Sequence, residues 1–359
     1  MNQAALELDP LAADTTDRTG FDIGWDHAHH GLVPGADLMH AGTPICQGWM
    51  AGKAVFGRRT LASTRATRQW LQLRTRAWRH GEAFEGQQVT PNFLGQIQAT
   101  HCPVTRVALG GAGLQPDAAV IERLNPAAAF AAGNLATLSQ QAAHAWTGLD
   151  AAQAARRARA VQAGAEPDLG LGTAAWWRLA VLRSFATPLP FAEAARLPLA
   201  LLPPNRVRLL NAAQGLQSLV TLLFTAPGWA ARCRRLADLL PLPALRHDFN
   251  LFVGALAPRV LEAGGDARSL RLALEDAWLQ GRVQRRWQHF VLSLGEAATE
   301  QLLERAAADG LAAKRTLSHA REQATEGWAL ADCGRAPRRN ALAGHIIVPR
   351  APTVQRLAC

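Results

Sequence analysis

One stretch of the chain, residues 102–146, constrains the fold more than any other, because there a compact hairpin-plus-helix unit suggests itself within a mostly helical sequence. Val120–Leu124 is a β-prone run that ends at a turn signal, Asn125-Pro126, and a second run, Leu135–Leu138, follows Gly133-Asn134. Ser139 then stands where a helix N-cap would, ahead of the Ala-rich segment Gln140–Trp146. The order read from these residues is strand, loop, strand, helix.

The flanking sequence is helical. From Leu61 to His80, Ala66, Trp70, Leu73 and Ala77 recur at helical spacing, and Arg65, Arg68, Arg76 and Arg79 fall within one narrow arc opposite them. Such an arginine stripe suits bidentate contact with phosphate, and it equally suits a solvated outer face. Gln87–Thr100 reads as a helix begun at Thr90-Pro91, with Phe93, Leu94 and Ile97 buried. Ala151–Gln162 follows the hairpin unit, and Glu166–Gly172 reads as a domain boundary. Beyond it come Thr173–Phe185, Phe191–Leu202, Arg206–Phe224, Trp229–Leu240, Leu245–Leu261, Arg268–Gln280, Arg282–Leu294 and Ala297–Ala308, with no fixed repeat.

The expected fold is therefore mainly α: a helix-rich N-terminal half carrying the small β-hairpin-plus-helix unit, then an α-helical bundle-like domain. The division expected is a flexible lead-in at 1–20, a helical domain at 21–165 containing the 102–146 unit, an α-helical domain at 173–316, and a basic tail at 317–359. That tail holds Arg335, Arg338 and Arg339, and a short strand is expected at Ile346–Val348. In the segment Phe21–His30 the Asp and His residues invite a metal reading, but Gly24 and Gly31 are expected to keep any helix there short, and surface histidines beside aromatic anchors are the plainer account. Gly35–Arg59 reads as a loop or broken helix.

The charge balance points toward polyanions. The chain has 38 Lys+Arg against 28 Asp+Glu, a formal net charge of +10, and only Lys53 and Lys314 are lysines. The preference for Arg over Lys, with abundant Ala and no Tyr, fits a GC-rich coding sequence, but the excess of positive charge favours nucleic acid as a partner. Arg232-Cys233-Arg234-Arg235 and the group Arg282, Arg285, Arg286, Trp287 and His289 add basic clusters, the second with an aromatic that could stack on a base or sit in the core. The five cysteines are scattered and no CxxC occurs, so neither a disulfide framework nor a zinc ribbon is suggested. The polar, acidic N-terminus and the lack of a long apolar stretch lead us to expect a cytoplasmic protein with no membrane partner.

With Cys102-Pro103-Val104-Thr105 at its start and Gly133-Asn134 closing its loop, the 102–146 stretch resembles the HNH (ββα-metal) nuclease family. The resemblance covers roughly an eighth of the chain and its motif is loose. It puts Glu122 where the family has a metal-binding Asp, and Arg123 where it has the general-base His. Asn134 matches the Asn that braces the hairpin, and Cys102 a structural cysteine, while Thr105 takes the place of that cysteine's usual partner. The last ligand position falls on Ala143, with His144 one place off. Arg123 cannot serve as a base because a guanidinium stays protonated, and Glu122 alone would hold Mg²⁺ weakly. The resemblance thus implies a degenerate, non-cleaving copy.

Walker, HExxH, GxSxG and Rossmann patterns are absent from the sequence. The leading expectation is a nucleic-acid-associated basic protein with no cofactor, contacting phosphate through Arg65, Arg68, Arg76, Arg79 and Arg123. The first alternative is an active endonuclease using Mg²⁺ or Mn²⁺, with Glu122 and His144 in a shifted site and His101 as base. The second is a helical protein-interaction scaffold whose basicity is compositional.

Overall fold

The computed structural model of the protein describes residues 10–110, 113, 115–262, 266–311 and 321–336. It is mainly α, and the sheet found among the described residues is a two-stranded antiparallel ribbon. Among the described residues the chain divides into two units, one comprising residues 10–61 with Ala336, the other lying within Ala62–Arg335.

The first unit is built on two helices, α1 (Pro10–His29) and α2 (Pro44–Phe56). α1 starts inside the stretch expected to be a flexible lead-in, and α2 is one continuous helix within the stretch read as a loop or broken helix. The glycines that read as helix breakers are where the two helices touch. A Cβ on Gly24 would lie 2.0 Å from the Ile45 carbonyl oxygen, and one on Gly48 would lie 1.9 Å from that of Phe21. Backbone approach this close outweighs the roughly 1 kcal/mol that glycine costs a helix. Thr43 caps α2 by accepting from Cys46 N, with Pro44 in the first turn. The histidines serve packing: His29 stacks on Phe56 at 4.3 Å, and His27 Nδ1 lies 2.8 Å from the Ile23 carbonyl oxygen. Among the described residues no three His, Cys, Asp or Glu side chains converge as a metal's ligands would.

The second unit begins with α3 (Arg65–His80) and α4 (Pro91–Ile97), continues through β1 (Ala119–Arg123), β2 (Leu135–Ser139) and α5 (Gln140–Trp146), then α6 (Ala151–Gln162). There follow α7 (Thr173–Phe185), α8 (Phe191–Arg196), α9 (Ala212–Phe224), α10 (Trp229–Asp238), α11 (Pro243–Leu256), α12 (Pro258–Glu262), α13 (Ala267–Ala277), α14 (Gly281–Leu294) and α15 (Glu296–Ala308). Prolines set several of these ends: Pro198 lies two residues past α8, and Pro258 splits the single helix expected over Leu245–Leu261.

At the centre of the helical body α9 is buried on almost every side, polar residues included. Several of the polar groups inside find partners, while Gln217 Oε1 is buried without one among the described residues. Gln217 Nε2 donates to Leu197 O at 2.8 Å, Gln214 Nε2 to Ser184 Oγ at 2.6 Å, and Thr221 Oγ1 accepts from Trp278 Nε1 at 2.9 Å. Trp278, Trp287, Phe249, Phe252 and Phe290 form an aromatic cluster, in which Trp287 is buried and donates to Ala195 O. Trp287 is therefore core, and the base-stacking alternative for it falls away.

The hairpin is packed on both sides. Along β2, Leu135 and Thr137 face α3 and α4, with Thr137 Oγ1 donating to Ile97 O at 2.9 Å, while Ala136 and Leu138 join the core of the helical body. That core runs without a break from Cys102 to Trp328 and includes Leu171, so the stretch Glu166–Gly172 lies inside this unit. Residues 321–335, expected to begin the basic tail, also belong to it. Trp328 is fully buried and donates to Ala132 O at 3.0 Å, and Arg335 pairs in a β-bridge with Glu82. Arg338, Arg339 and Ile346–Val348 lie outside the described residues. No helix among the described residues is long and apolar enough to cross a membrane.

Candidate functional site

The hairpin register pairs Ala119 with Ser139 and Arg123 with Leu135, which brings the Asn125–Asn134 connection into one tight loop. Asn134 closes it. Fully buried, its Oδ1 accepts from Asn125 N at 2.8 Å, and its Nδ2 donates to Asn125 O at 3.0 Å and Ala129 O at 2.9 Å. Gly133 precedes it at φ 89°, where a side chain would also run into Arg208. At the other end of β2, Ser139 Oγ caps α5 by accepting from Ala142 N, donates to Cys102 Sγ at 3.3 Å, and lies 3.2 Å from Thr105 Oγ1. Cys102 is buried here, and its Sγ also accepts from Thr105 N at 3.5 Å. Cys102, Thr105 and Ser139 thus pin the Cys-Pro-Val-Thr turn to the strand end through hydrogen bonds.

The strand residues Glu122 and Arg123 are both engaged. Arg76 reaches from α3 to Glu122 with both terminal nitrogens, at 2.8 and 3.2 Å. Arg123 pairs with Glu82, donates to Ala128 O at 3.0 Å, and lies over the Phe130 ring at 4.4 Å. Arg76 also lies over that ring, at 5.8 Å, and with each arginine paired to a glutamate the four charges cancel. The hydrogen bond to Glu122 raises the Arg76 pKa above its ordinary value despite the opposing effect of burial.

The other residues of the expected site are not drawn in. Ala143 is buried in α5, whereas His144 is exposed, and no hydrogen bond or ion pair among the described residues joins His144 to Glu122. His101 sits in a β-bridge with Ala108, its Nδ1 3.0 Å from Thr100 Oγ1. On α3, Arg65, Arg68 and Arg79 are exposed, as the stripe requires, with Arg68 against Ser63 at 3.4 Å. The Arg65 side chain makes no hydrogen bond to any described residue. Trp70 anchors the opposite face by donating to Val89 O at 2.8 Å.

Three arginines that the sequence reading did not single out hold the unit to the helical body. Arg183 of α7, 4% exposed, donates to Leu124 O at 3.2 Å and Trp146 O at 2.8 Å, and lies over the Trp146 ring at 4.3 Å. It therefore joins the end of β1 to the end of α5. Burial lowers its pKa to about 10. Arg178, one turn and a half earlier, donates to Val104 O at 3.1 Å and to Asp276 Oδ1 at 2.9 Å. Arg106 completes that arrangement with two 2.8 Å bonds to Asp276 and one of 3.3 Å to Glu275. Burial opposes the Asp276 charge, but hydrogen bonds from Arg106 and Arg178 prevail and hold its pKa below the ordinary value.

No protein-family model, curated protein or solved structure matches this chain.

Proposed function

We propose that this is a nucleic-acid-associated protein in which a degenerate HNH-like module binds without cleaving. The observation that carries the reading is the bidentate Arg76–Glu122 pair beside an exposed arginine face. The carboxylate in the metal-ligand position is neutralised by a guanidinium, while Arg65, Arg68 and Arg79 on the same helix face solvent. A cation at Glu122 would have to displace Arg76, and Arg123 in the base position stays protonated and paired with Glu82. What remains is a positive surface on a helix packed against the hairpin, within a chain of net charge +10. Arg76 and Arg123 serve here as hairpin stabilisers, and the phosphate contacts are assigned to Arg65, Arg68 and Arg79.

The test is a double charge reversal, Arg65→Glu with Arg68→Glu, made in the full chain and titrated with a labelled DNA duplex. Both side chains are exposed, so the variant is expected to fold and to lose binding across sequences, with a shallower dependence on salt. Unchanged binding would remove α3 as the interface.

A further inference from the structure

Two clefts adjoin on the second unit, on a side of the fold formed by α4, the Cys102 turn, the Pro204–Arg208 segment and α13. The larger, of about 560 Å³, is lined by four carboxamides, Gln88, Asn92, Gln96 and Asn205, together with Phe93 and Arg206. The smaller, of about 390 Å³, is lined by His101, Arg106, Arg268, Arg271 and Glu275 among others. Asn205 belongs to the walls of both.

We infer that these clefts form one groove for single-stranded nucleic acid, with a base in the carboxamide end and backbone phosphates along the arginine end. The inference rests on the nucleic-acid reading above and adds to it a site other than the α3 stripe that distinguishes single strands.

The chemistry of the two ends differs in the way such a ligand requires. Carboxamides offer a donor and an acceptor side by side, which matches the edge of a base, and an aromatic wall offers a stacking surface. No described residue hydrogen-bonds the side chains of Asn92, Gln96 or Arg206, so those groups are unspent. By contrast the wall itself is held in place: Asn205 Nδ2 donates to Gln96 O at 2.6 Å, and Arg208 donates to Gln88 Oε1 at 2.9 Å and Ala324 O at 3.0 Å. At the arginine end, Arg106 is held by Asp276 and Glu275, and Arg271 by Glu275, which also accepts from the backbone N of Leu202, so the phosphate contact falls to Arg268. Arg268 is exposed on the rim.

A second feature singles out the same walls. Five non-glycine residues among those described adopt positive φ, and two of them are Arg106 at 63° and Arg206 at 66°. Each cleft therefore has one arginine on a backbone conformation that L-residues avoid: in Arg106 it delivers the side chain to Asp276 and Glu275, and in Arg206 it sets the side chain on the cleft wall, the kind of departure that concentrates at ligand sites.

The experiment uses the full chain and fluorescein-labelled single-stranded hexanucleotides, intact and fully abasic, followed by anisotropy. Intact strands are expected to bind about tenfold more tightly than abasic ones. The variant Asn92→Ala with Arg206→Gly should erase that preference, and it keeps the fold because Asn92 is exposed and glycine accepts the Arg206 backbone. Arg268→Ala should weaken intact and abasic strands alike. Equal binding of intact and abasic strands, or a preference that survives the Asn92/Arg206 variant, overturns the groove while leaving the phosphate-binding reading in place. Failure of both single strands and duplex to bind at low salt overturns both.

Discussion

Replacing Glu122 by Gln separates a binding module from a nuclease, because the two accounts give opposite signs. In the native protein Glu122 neutralises Arg76 through two hydrogen bonds. The substitution keeps the side-chain volume, takes away one negative charge from a chain of net +10, and frees Arg76 for other partners. With Arg76 44% exposed, the stability cost is that of a half-exposed pair, about 0.5–1 kcal/mol. For binding, one further arginine on the α3 face adds about one neutralised phosphate. The slope of log K against log salt should then steepen by about 0.9, which corresponds to about eightfold tighter binding near 0.1 M salt and little change near 1 M. Anisotropy titrations of wild type and E122Q with the same duplex, over a salt series, give both numbers. Weaker binding in E122Q, or loss of a metal-dependent cleavage that wild type performs, would refute the argument and make Glu122 a ligand.

Other substitutions test the framework. Asn134→Ala leaves the Asn125 N–H and the buried Ala129 carbonyl without partners and takes one of two donors from the Asn125 carbonyl, so chemical denaturation should show a loss of about 3 kcal/mol, and a change under 1 kcal/mol would deny Asn134 its bracing role. Gly48→Ala drives a methyl group against the Phe21 backbone, and hydrogen exchange in the full chain should show protection lost in α1 and α2 while α7 and α9 keep theirs. Asp276 has a lowered pKa in the folded state, so its stabilising contribution is complete above the unfolded value of about 3.9 and disappears as pH falls through the folded value. Denaturation midpoints of wild type and Asp276→Asn should accordingly differ at neutral pH and converge below about pH 4, and parallel curves across that range would show that the Arg106–Asp276–Arg178 arrangement does not govern acid stability.

The parts of this fold that were legible in the sequence are those fixed by local chemistry. Helices α5, α6 and α7 have the ends read from sequence, two of them because their N-caps are written there: Ser139 accepts from Ala142 N, and Asp150 forms a capping box with Gln153. The hairpin was visible for the same reason, its turn residues being Asn125-Pro126 and Gly133-Asn134. What escaped depends on partners distant in sequence. Gly24 and Gly48 count against a helix until the second helix is present, and then they alone permit the contact. Arg178 and Arg183 look like ordinary surface charges in α7, and only the fold reveals the carbonyls of Val104, Leu124 and Trp146 that they satisfy. At the candidate site, the resemblance singled out Glu122, Arg123 and Asn134, but it could not tell that Arg76, read as part of an arginine stripe, pairs with Glu122. The groove of carboxamides was invisible as well, since Asn92, Gln96 and Asn205 come together only when α4 meets the Pro204–Arg208 segment.

The most direct test of a module that binds but does not cut is to titrate the purified full chain against double- and single-stranded DNA over a salt series, with and without Mg²⁺ or Mn²⁺, and to inspect the same samples for nicking. Affinity that falls steeply as salt rises, with the DNA left intact in either metal, is the predicted result. Metal-dependent nicking, or no binding even at low salt, would contradict it.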